Sequence, residues 1–340
     1  MTPDLVTIGG LTMDHVVAAT GEVALSQAGG NGAYSAIGAL MWTQTVGLVS
    51  LGVASYPVPM LDRLRAAGVD LDGVAFVPER LRAAHWFIYD NAGHRNDRFR
   101  SVPEALAEAG FPQDRLSPAQ VAAWVAQLEA REAPEEISYS EFRHRNPITP
   151  AQVPDDWLKA RGVHFAPSRI DVIRTMQDHF APAGMVMVMD SGWQFDGMTP
   201  DEMAPLLARV DAFLPSEVEL ESLMPGTGME TALERLSALC RGTVAVKLGP
   251  KGVLTWDKTA GRAVPVPALK VDTLDPTGAG DSFCGGFLAG LVETGDPVKA
   301  ACFGAVSASR IVQRFGADGP LPFERGALRA LLESHLHCLA

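Results

Sequence analysis

The sequence predicts an α/β fold in which helices cover both faces of a mostly parallel sheet. Short apolar runs alternate with segments of helical periodicity along most of the chain, which is the pattern of βα units. The apolar run that ends at Asp190 is continuous, as in a central parallel strand buried on both faces. Two glycine-rich stretches, residues 27–36 and 275–283, stand where helices are predicted to begin. Strand ends in open α/β sheets carry ligands, so we expect binding loops there.

Composition indicates one globular domain. The chain has 340 residues, of which 47% are hydrophobic and 20% are charged, so it can bury a large core. This length exceeds that of a typical domain, but α/β folds often reach it as one unit, and we expect a single domain over residues 1–340. The formal charge of -12 argues against a nucleic-acid partner, because binding to a polyanion needs a basic surface.

Patterns typical of disulfide frameworks, zinc sites and export are not found in the sequence. The cysteines at positions 240, 284, 302 and 338 form no CxxC pair, so neither a zinc site nor a disulfide is predicted. The N-terminus lacks a basic segment followed by a long apolar stretch, and no apolar run approaches the length that spans a bilayer. We expect a soluble cytoplasmic protein without a membrane partner.

The first βα unit carries candidate substrate-binding residues. Residues 5–9 are predicted to form a short buried strand, and Asp14 follows it. A carboxylate there accepts hydrogen bonds from hydroxyl groups, although aspartate is also common in turns and caps. Gly30 and Asn31 begin a predicted helix that runs to Met41. They suit either a polyol that approaches the backbone or a tight turn with a capping Asn, whereas the fit to a dinucleotide fingerprint is weak.

The next segments predict a strand, a helix and a hairpin. The strand covers residues 46–53, and the helix covers residues 59–67 with Gly68 as its C-cap. Residues 83–100 contain an aromatic stretch, a glycine turn and a basic stretch, which indicate a hairpin. We interpret this hairpin, together with residues 10–20, as a lid. Three hairpin residues either meet an anionic group or face solvent: Arg95, Arg98 and Arg100.

Residues 102–154 give the weakest signals. A helix is predicted over residues 116–131, with Ser117 as N-cap and Pro118 as its first residue. The rest of this variable segment is polar and marked by prolines, so we expect an exposed excursion.

Strands and helices alternate again from residue 162. Strands are predicted at residues 163–166, 185–190 and 212–216, and a helix at residues 170–180. Glu219 follows the third strand and is placed to reach Mg²⁺ through water, because this ion prefers oxygen ligands and keeps much of its hydration. The other interpretation is an acidic residue at a solvated helix N-terminus.

A later strand, residues 243–249, carries candidate nucleotide-binding residues. A Pro-Lys-Gly turn joins it to an apolar stretch at residues 253–256. Lys247 and the glycines Gly249 and Gly252 are placed to border a nucleotide phosphate.

The stretch Asp275-Pro-Thr-Gly-Ala-Gly-Asp-Ser-Phe283 is predicted to be a catalytic loop before a helix. The first N–H groups of a helix have no intrahelical partner and its dipole is positive there, so the loop attracts phosphate. Asp281 lies in the first turn, where it can remove a proton from a hydroxyl that attacks phosphorus. Aspartate at a helix start is commonly a cap, but the Gly-Ala-Gly spacing permits a close backbone approach that a cap does not require.

These two glycine stretches resemble the two signatures of the ribokinase-like (PfkB) carbohydrate kinase family. The first strand with its acid, the Lys-Leu-Gly-Pro-Lys-Gly turn and the late helices follow the order of that family, so the resemblance covers nearly the whole chain. It implies a doubly wound α/β fold with a small β lid. It also implies ATP-dependent phosphorylation of a hydroxymethyl group with Mg²⁺ as cofactor.

The resemblance implies roles for individual residues. Asp281 is implied as the general base, and the anion hole as the amides of Gly278, Ala279 and Gly280. The sugar-binding residues are implied to be Asp14, Gly30 and Asn31. The residues that border the nucleotide are implied to be Lys247, Gly249 and Gly252. Glu219 is implied to support Mg²⁺, and a monovalent cation, K⁺, is implied at Asp275 and Thr277 with carbonyl groups near Gly316.

Two positions depart from the family pattern. Ser216 stands where members commonly have Asn, three residues before Glu219, and this bears on metal and phosphate geometry. Tyr34 stands where the first motif commonly has Asn, and this bears on the identity of the substrate.

We expect a phosphotransferase with an alcohol acceptor that acts on a sugar or nucleoside. A kinase of a hydroxymethylated heterocycle, such as a vitamin precursor, is an open alternative, because the same fold can host it. A non-catalytic ligand-binding protein is the third candidate; Ser216 favours it, and the complete loop with Asp281 argues against it. A homodimer through the lid and closure of the lid over the ligand are both open.

Overall fold

The computed structural model describes residues 2–79, 86–89, 95–96, 119, 122, 137 and 139–339. The predicted hairpin turn, Arg98, Arg100 and nearly all of the predicted helix at residues 116–131 lie outside the described residues.

Fourteen strands are found in the described part of the chain. They are β1 (Leu5–Ile8), β2 (Thr12–Val17), β3 (Val23–Gly29), β4 (Val46–Val53), β5 (Val69–Asp70), β6 (Val74–Val77), β7 (Trp86–Tyr89), β8 (Arg95–Asn96), β9 (Gly162–Phe165), β10 (Val186–Asp190), β11 (Ala212–Leu214), β12 (Thr243–Lys247), β13 (Val253–Asp257) and β14 (Arg262–Val266). The central sheet has the order β14-β13-β12-β11-β10-β9-β1-β4-β5, and β6 also pairs with β4. Adjacent strands of this sheet are parallel from β12 to β5. The pairs β12–β13 and β13–β14 are antiparallel. The mostly parallel sheet that the sequence predicts is therefore confirmed.

Helices cover both faces of this sheet. They are α1 (Asn31–Leu40), α2 (Val58–Ala67), α3 (Tyr139–Arg145), α4 (Ile170–Phe180), α5 (Pro200–Leu207), α6 (Glu217–Leu223), α7 (Met229–Leu239), α8 (Ala279–Thr294), α9 (Pro297–Ile311) and α10 (Arg325–His337). Short 3-10 helices lie at Pro150–Gln152, Asp155–Lys159, Ala181–Ala183, Trp193–Phe195 and Gly249–Lys251. One apolar cluster contains α1, α2, α8, α9 and α10, and a second contains α4, α5, α6 and α7. Consecutive residues of β1, Leu5 and Val6, belong to opposite clusters, as successive strand side chains must.

Local predictions agree with several of these elements. The predicted strand at residues 46–53 is β4, and the predicted helix at residues 170–180 is α4. Gly68 ends α2 in the left-handed conformation, with φ 111°, which glycine adopts without a steric penalty.

A separate small sheet is formed by β3, β2, β7 and β8 in that order. The β2–β3 and β7–β8 pairs are antiparallel, and β2 pairs with β7 in parallel. The described part of the predicted hairpin is thus a strand pair, and β2 falls within the other predicted lid segment. The strand β3 leads directly into α1 at the first glycine stretch, a strand that the sequence did not predict.

The helices that follow the two glycine stretches, α1 and α8, lie in direct backbone contact. A Cβ atom at Gly38 would lie 2.1 Å from the carbonyl oxygen of Ser282, and one at Gly285 would lie 1.9 Å from the carbonyl oxygen of Ser35. Only glycine permits this approach. The contact brings the N-terminal half of the chain against the 275–281 loop, where Asp281 lies.

Within the described residues, we find no helix that is both long and apolar enough to cross a bilayer.

Candidate active site

The 275–281 loop ends at the N-terminus of α8, as predicted. Gly278 is the N-cap residue with φ 74°, and no side chain in the described part of the chain caps this helix. The N–H group of Ala279 donates to the carbonyl of Pro276 at 3.3 Å. Asp281 lies in the first helical turn and is partly exposed. An uncapped helix start with a carboxylate beside it can hold an anion next to a proton acceptor.

Opposing effects set the charge of Asp281. Burial raises the pKa of its carboxyl, while the positive charges of Lys247 and Arg95 act to lower it and the negative charge of Glu219 raises it. Arg95 belongs to β8 of the small sheet and is exposed. The pKa of the Asp281 carboxyl is thus raised by burial and lowered by two cations.

Lys247 lies inside the protein, beneath the 275–281 loop. Its ammonium group donates to Oδ1 of Asp190 at 2.5 Å and contacts Sγ of Cys284 at 3.5 Å. A Cβ atom at Gly280 would lie 3.7 Å from this ammonium. Asp190, Cys284 and Glu219 together hold the pKa of Lys247 above its usual value, although burial acts in the opposite direction. The side chain is only 13% exposed, so the cation faces the loop from below.

A buried polar cluster surrounds this lysine. The ligand atoms of His164, Asp190 and Cys284 lie within 4.8 Å of one another. Burial lowers the pKa of His164 to about 3, and its Nδ1 lies 2.7 Å from Oγ of Ser35 on α1. The positive charge in this cluster is the ammonium group of Lys247, which contacts Asp190 and Cys284.

Glu219 lies in the first turn of α6 and is tied to two serines. Its Oε2 accepts from Oγ of Ser191 at 2.5 Å and from the N–H group of Ser216 at 2.7 Å. Ser216 is the N-cap of α6 and completes a capping box with Glu219. Burial acts to raise the pKa of Glu219, but Lys247 and these hydrogen bonds bring it below its usual value. Ser216 therefore fixes the position of Glu219 in place of the Asn that the family pattern has.

Asp14 lies on β2 against the first glycine stretch. Its Oδ1 accepts from Oγ1 of Thr12 at 2.7 Å, and the N–H group of Gly30 also donates to it. A Cβ atom at Gly29 would lie 1.8 Å from Oδ2, so only glycine leaves room for the carboxyl. Burial raises the pKa of Asp14 to about 7, and the charge of Asp275 acts in the same direction.

Asn31, the first residue of α1, ties this site to two neighbouring segments. Its Oδ1 accepts from the N–H group of Gly10 at 2.6 Å, and its Nδ2 donates to the carbonyl of Pro167 at 2.8 Å. Each amide atom retains one further hydrogen-bonding position. Gly30 has φ 95°, and a Cβ atom there would lie 2.4 Å from the carbonyl oxygen of Gly10.

The ring of Tyr34 forms the floor of the 275–281 loop. A Cβ atom at Gly278 would lie 2.1 Å from Cδ1 of this ring. The side chain is 2% exposed, and its hydroxyl has no hydrogen-bond partner among the described residues. Burial raises its pKa, and the charges of Asp14, Asp275 and Asp281 add to this effect. Tyr34 therefore lies within electrostatic range of both sides of the site.

Asp275 and Thr277 form a buried polar corner at the start of the loop. The N–H group of Thr277 donates to Oδ1 of Asp275 at 2.9 Å, and Gly316 donates its N–H group to the same carboxyl. Oδ2 of Asp275 is buried without a hydrogen-bond partner among the described residues. Burial raises the pKa of Asp275 to about 6. The hydroxyl of Tyr89, on β7, lies 2.7 Å from Oγ1 of Thr277.

Gly249 and Gly252 flank the short turn between β12 and β13. Both have positive φ, 57° and 101°. A Cβ atom at Gly252 would lie 2.1 Å from the carbonyl oxygen of Val266, whereas one at Gly249 would contact nothing within 4 Å. Gly252 is thus required by the packing of β14, and the surface beside Gly249 is open.

The structure groups the predicted residues around Asp281 and Asp14. Lys247 and Glu219 act electrostatically on Asp281, and Arg95 acts on both Asp281 and Asp14. Gly249 and Gly252 lie in the turn that follows β12, the strand that ends at Lys247. Sequence reasoning missed the roles of four residues, Tyr89, His164, Asp190 and Cys284. Asp190 had a signal, since it ends a buried apolar strand with a charge.

Comparison with known proteins agrees with the architecture. Residues 150–324, about half of the chain, match the domain described as pfkB family carbohydrate kinase. A sugar kinase of Archaeoglobus fulgidus, itself uncharacterised, is 33% identical over 133 residues, which are 39% of this chain and 52% of that protein. The ribokinase of Lactococcus lactis is 34% identical over 113 residues, which are 33% of this chain and 36% of that protein. The chain thus spans about half or less of the length of these relatives.

Solved structures match nearly the whole chain. A candidate ribokinase II from E. coli in complex with ATP and Mg²⁺ has a TM-score of 0.68 and 19% identity, with 98% of this chain and 100% of that chain covered. A nucleoside kinase of Burkholderia thailandensis in complex with inosine has a TM-score of 0.70 and 15% identity, with 98% of each chain covered. At these identities the matches show a common fold. Together with the domain match, they show that the chain belongs to the pfkB family of carbohydrate kinases and has the ribokinase-like fold.

Proposed function

We propose that the protein is an ATP-dependent kinase that phosphorylates a hydroxymethyl group of a sugar or nucleoside. The observation that carries this proposal is the position of Asp281 in the first turn of the uncapped helix α8, directly after the Gly278-Ala279-Gly280 loop. Family membership and the sugar and nucleoside kinases among the similar proteins support the substrate class.

Asp281 acts as the general base in this proposal. Its carboxylate takes the proton from the acceptor hydroxyl as that oxygen attacks phosphorus. The acceptor is held on the other side by Asp14, Gly30 and Asn31, so the hydroxyl is fixed in line before transfer. The pKa of Asp281 is raised by burial, which makes it a stronger base than an exposed aspartate.

The 275–281 loop and Lys247 stabilise the charge that develops during transfer. The helix dipole and the N–H group of Gly280 face the anion, whereas the N–H group of Ala279 donates to the carbonyl of Pro276 at 3.3 Å. Lys247 adds a full positive charge 3.7 Å from the Cβ position of Gly280. The open surface beside Gly249 is available for the rest of the nucleotide. Bound ATP supplies the phosphoryl group, and Mg²⁺ neutralises its charge.

Glu219 fits a role in supporting Mg²⁺. Its two hydrogen-bond donors, Ser191 and Ser216, both bind Oε2, and this leaves Oε1 for a water of the hydrated ion. The carboxyl is ionised, since Lys247 and the serines keep its pKa low. Ser216 is compatible with this role, because it orients the carboxyl through a capping box.

Asp275 and Thr277 fit a monovalent cation. Oδ2 of Asp275 is a buried oxygen without a hydrogen-bond partner among the described residues, and such a group costs free energy unless a cation or water satisfies it. We propose K⁺ at this corner. Replacement of K⁺ by tetramethylammonium in the assay should then lower the rate of transfer.

We also propose that the small sheet serves as the lid. It carries Asp14, Arg95 and Tyr89, which all interact with the site. A homodimer through this sheet is a further prediction, since β3 and β8 are its edges and sheet edges can pair with a second copy. The cytoplasmic location also stays a prediction.

A substrate panel tests the function. The protein is incubated with ATP labelled at the γ-phosphate, Mg²⁺ and one acceptor at a time: ribose, fructose, cytidine, inosine or a hydroxymethyl pyrimidine. We expect labelled product with a sugar or nucleoside. Transfer only to the pyrimidine would support the heterocycle kinase instead, and nucleotide binding without transfer to any acceptor would contradict the kinase proposal.

A further inference from the structure

The hydroxyl of Tyr34 is buried beside the proposed site. The side chain is 2% exposed, and the hydroxyl has no hydrogen-bond partner among the described residues. A buried hydroxyl without a partner costs free energy, because the hydrogen bonds that it makes with water in the unfolded chain are lost. Such groups in native structures call for a specific explanation.

The ring itself has a structural explanation, whereas the hydroxyl does not. The ring lies under Gly278, whose Cβ position is 2.1 Å from Cδ1 and 2.2 Å from Cγ of Tyr34. A phenylalanine would fill the same space and support the loop equally well. The hydroxyl oxygen therefore adds nothing to this packing.

The surroundings of the hydroxyl belong to the proposed site. The charges of Asp14, Asp275 and Asp281 add to the effect of burial in raising the pKa of Tyr34, and Tyr89 acts in the same direction. Asp14 lies on the acceptor side and Asp281 on the phosphate side. The N–H group of Tyr34 donates to the carbonyl of Gly30 at 3.0 Å, and its ring contacts Gly278 of the 275–281 loop. The side chain thus runs from the acceptor side of the proposed site to the phosphate side.

We infer that Tyr34 is a specificity-determining residue, whose hydroxyl binds a second oxygen of the acceptor molecule that Asp14 holds. Asp14 accepts a hydrogen bond from one acceptor hydroxyl, and Tyr34 donates to another acceptor oxygen. The acceptor is then a polyhydroxylated molecule with at least two oxygens at this end, as in a sugar or a ribosyl group. A ring nitrogen of a heterocycle can also accept this hydrogen bond, so deoxy analogues are needed to separate the two classes of acceptor.

This inference rests on the proposed kinase function and specifies its substrate class. Loss of one neutral hydrogen bond in the complex should lower kcat/KM by about 2- to 13-fold. The Tyr34→Phe variant removes only the hydroxyl. Its melting temperature should equal or exceed that of the wild type, because a buried unpaired group is removed.

The experiment compares the wild type and Tyr34→Phe on one acceptor and on its deoxy analogues, as in a double-mutant cycle. The acceptor is whichever of ribose, fructose, cytidine and inosine the wild type phosphorylates. We expect one deoxy analogue to be a poorer substrate for the wild type but not for Tyr34→Phe, since both changes remove the same contact. Equal penalties in both proteins for every analogue would overturn the inference. Wild-type kcat/KM in Tyr34→Phe, or transfer only to a hydroxymethyl pyrimidine, would also overturn it.

The two proposals fail separately. Absence of transfer to any acceptor contradicts the kinase function itself, whereas wild-type turnover in Asp281→Asn contradicts the role of Asp281 as general base. Transfer that depends on Asp281 but is indifferent to Tyr34→Phe contradicts the Tyr34 inference alone. A deoxy series on the wild type in which no analogue is a poorer substrate would also contradict the Tyr34 inference, and this result does not depend on the folding of a mutant protein.

Discussion

The hydroxyl of Tyr89 lies 2.7 Å from Oγ1 of Thr277. This contact joins β7 of the small sheet to the 275–281 loop, which lies outside that sheet. Both residues are buried, so the bond is shielded from water. The strand β7, which pairs with β2, the strand on which Asp14 lies, is therefore tied directly to the loop that precedes Asp281.

Removal of this bond by Tyr89→Phe should loosen the small sheet relative to the loop. We expect the free energy of unfolding to fall by about 0.5–1.5 kcal/mol, the value of one neutral hydrogen bond. The KM for the acceptor should rise more than kcat falls, because the bond positions the acceptor side of the site. Denaturant titration measures the change in stability, and steady-state kinetics measure the change in KM. An unchanged KM would show that this contact does not position the acceptor.

Gly278→Ala should disrupt the loop. The substitution forces a side chain into φ 74° and into the ring of Tyr34, and we expect a loss of about 2–5 kcal/mol in stability. Gly295→Ala is the matched control at the other end of α8. It has φ 65° and no atom within 4 Å of the added Cβ, so its cost should be about 1 kcal/mol, with normal kinetics. Equal costs in thermal unfolding would argue against the contact with Tyr34.

Lys247→Met removes the cation beneath the loop. It leaves Asp190 buried without its partner, and we expect stability to fall by about 3–5 kcal/mol. Asp281 also loses one of the charges that lower its pKa. Because the base must be ionised, activity is lost as pH falls through this pKa, and the acid limb of kcat/KM should move to higher pH.

Lys251→Met is the control for this change. Lys251 is 68% exposed and pairs with Glu217 at the surface, so its loss should change stability by less than about 0.5 kcal/mol. The pH profile should stay in place. A Lys247 variant with a wild-type acid limb would show that its charge does not reach Asp281.

Asp14→Asn should change how stability depends on pH. The pKa of Asp14 is raised to about 7 in the folded protein from 3.8, so between these values the folded state holds a proton that the unfolded state has lost. Stability of the wild type therefore falls as pH rises through this window. Relative to Asp14→Asn, we expect a decrease of about 1–4 kcal/mol between pH 4 and pH 8. Parallel stability curves for the two proteins would contradict the raised pKa.

Sequence patterns predicted those parts of the site that depend on local structure. The glycine spacing and the apolar periodicity after it placed Asp281 at a helix start, and the apolar run before Asp190 predicted a buried parallel strand. The contacts between distant segments could not be predicted in this way. Tyr89 and Thr277 are 188 positions apart, and Lys247 meets Asp190 across 57 positions. That Lys247 borders a nucleotide phosphate stays a prediction, and its contacts with Asp190 and the Gly280 loop depend on the strand order of the sheet.

Tyr34 shows the same limit. Its place in the first glycine motif marked it as a departure from the family pattern, but no local rule predicts that its ring supports Gly278. That contact follows from the close packing of α1 on α8 at Gly38 and Gly285. Side-chain partners across a glycine-mediated helix contact depend on the tertiary fold.

The most direct test of the central claim is the turnover of Asp281→Asn with an acceptor that the wild type phosphorylates. Loss of the general base should lower kcat by about 10²- to 10⁴-fold, while the dissociation constant of the acceptor stays close to that of the wild type, because Asp14 and Asn31 still hold it. Single-turnover transfer from labelled ATP and calorimetric titration of the acceptor measure both. Wild-type turnover in Asp281→Asn would contradict the proposed mechanism.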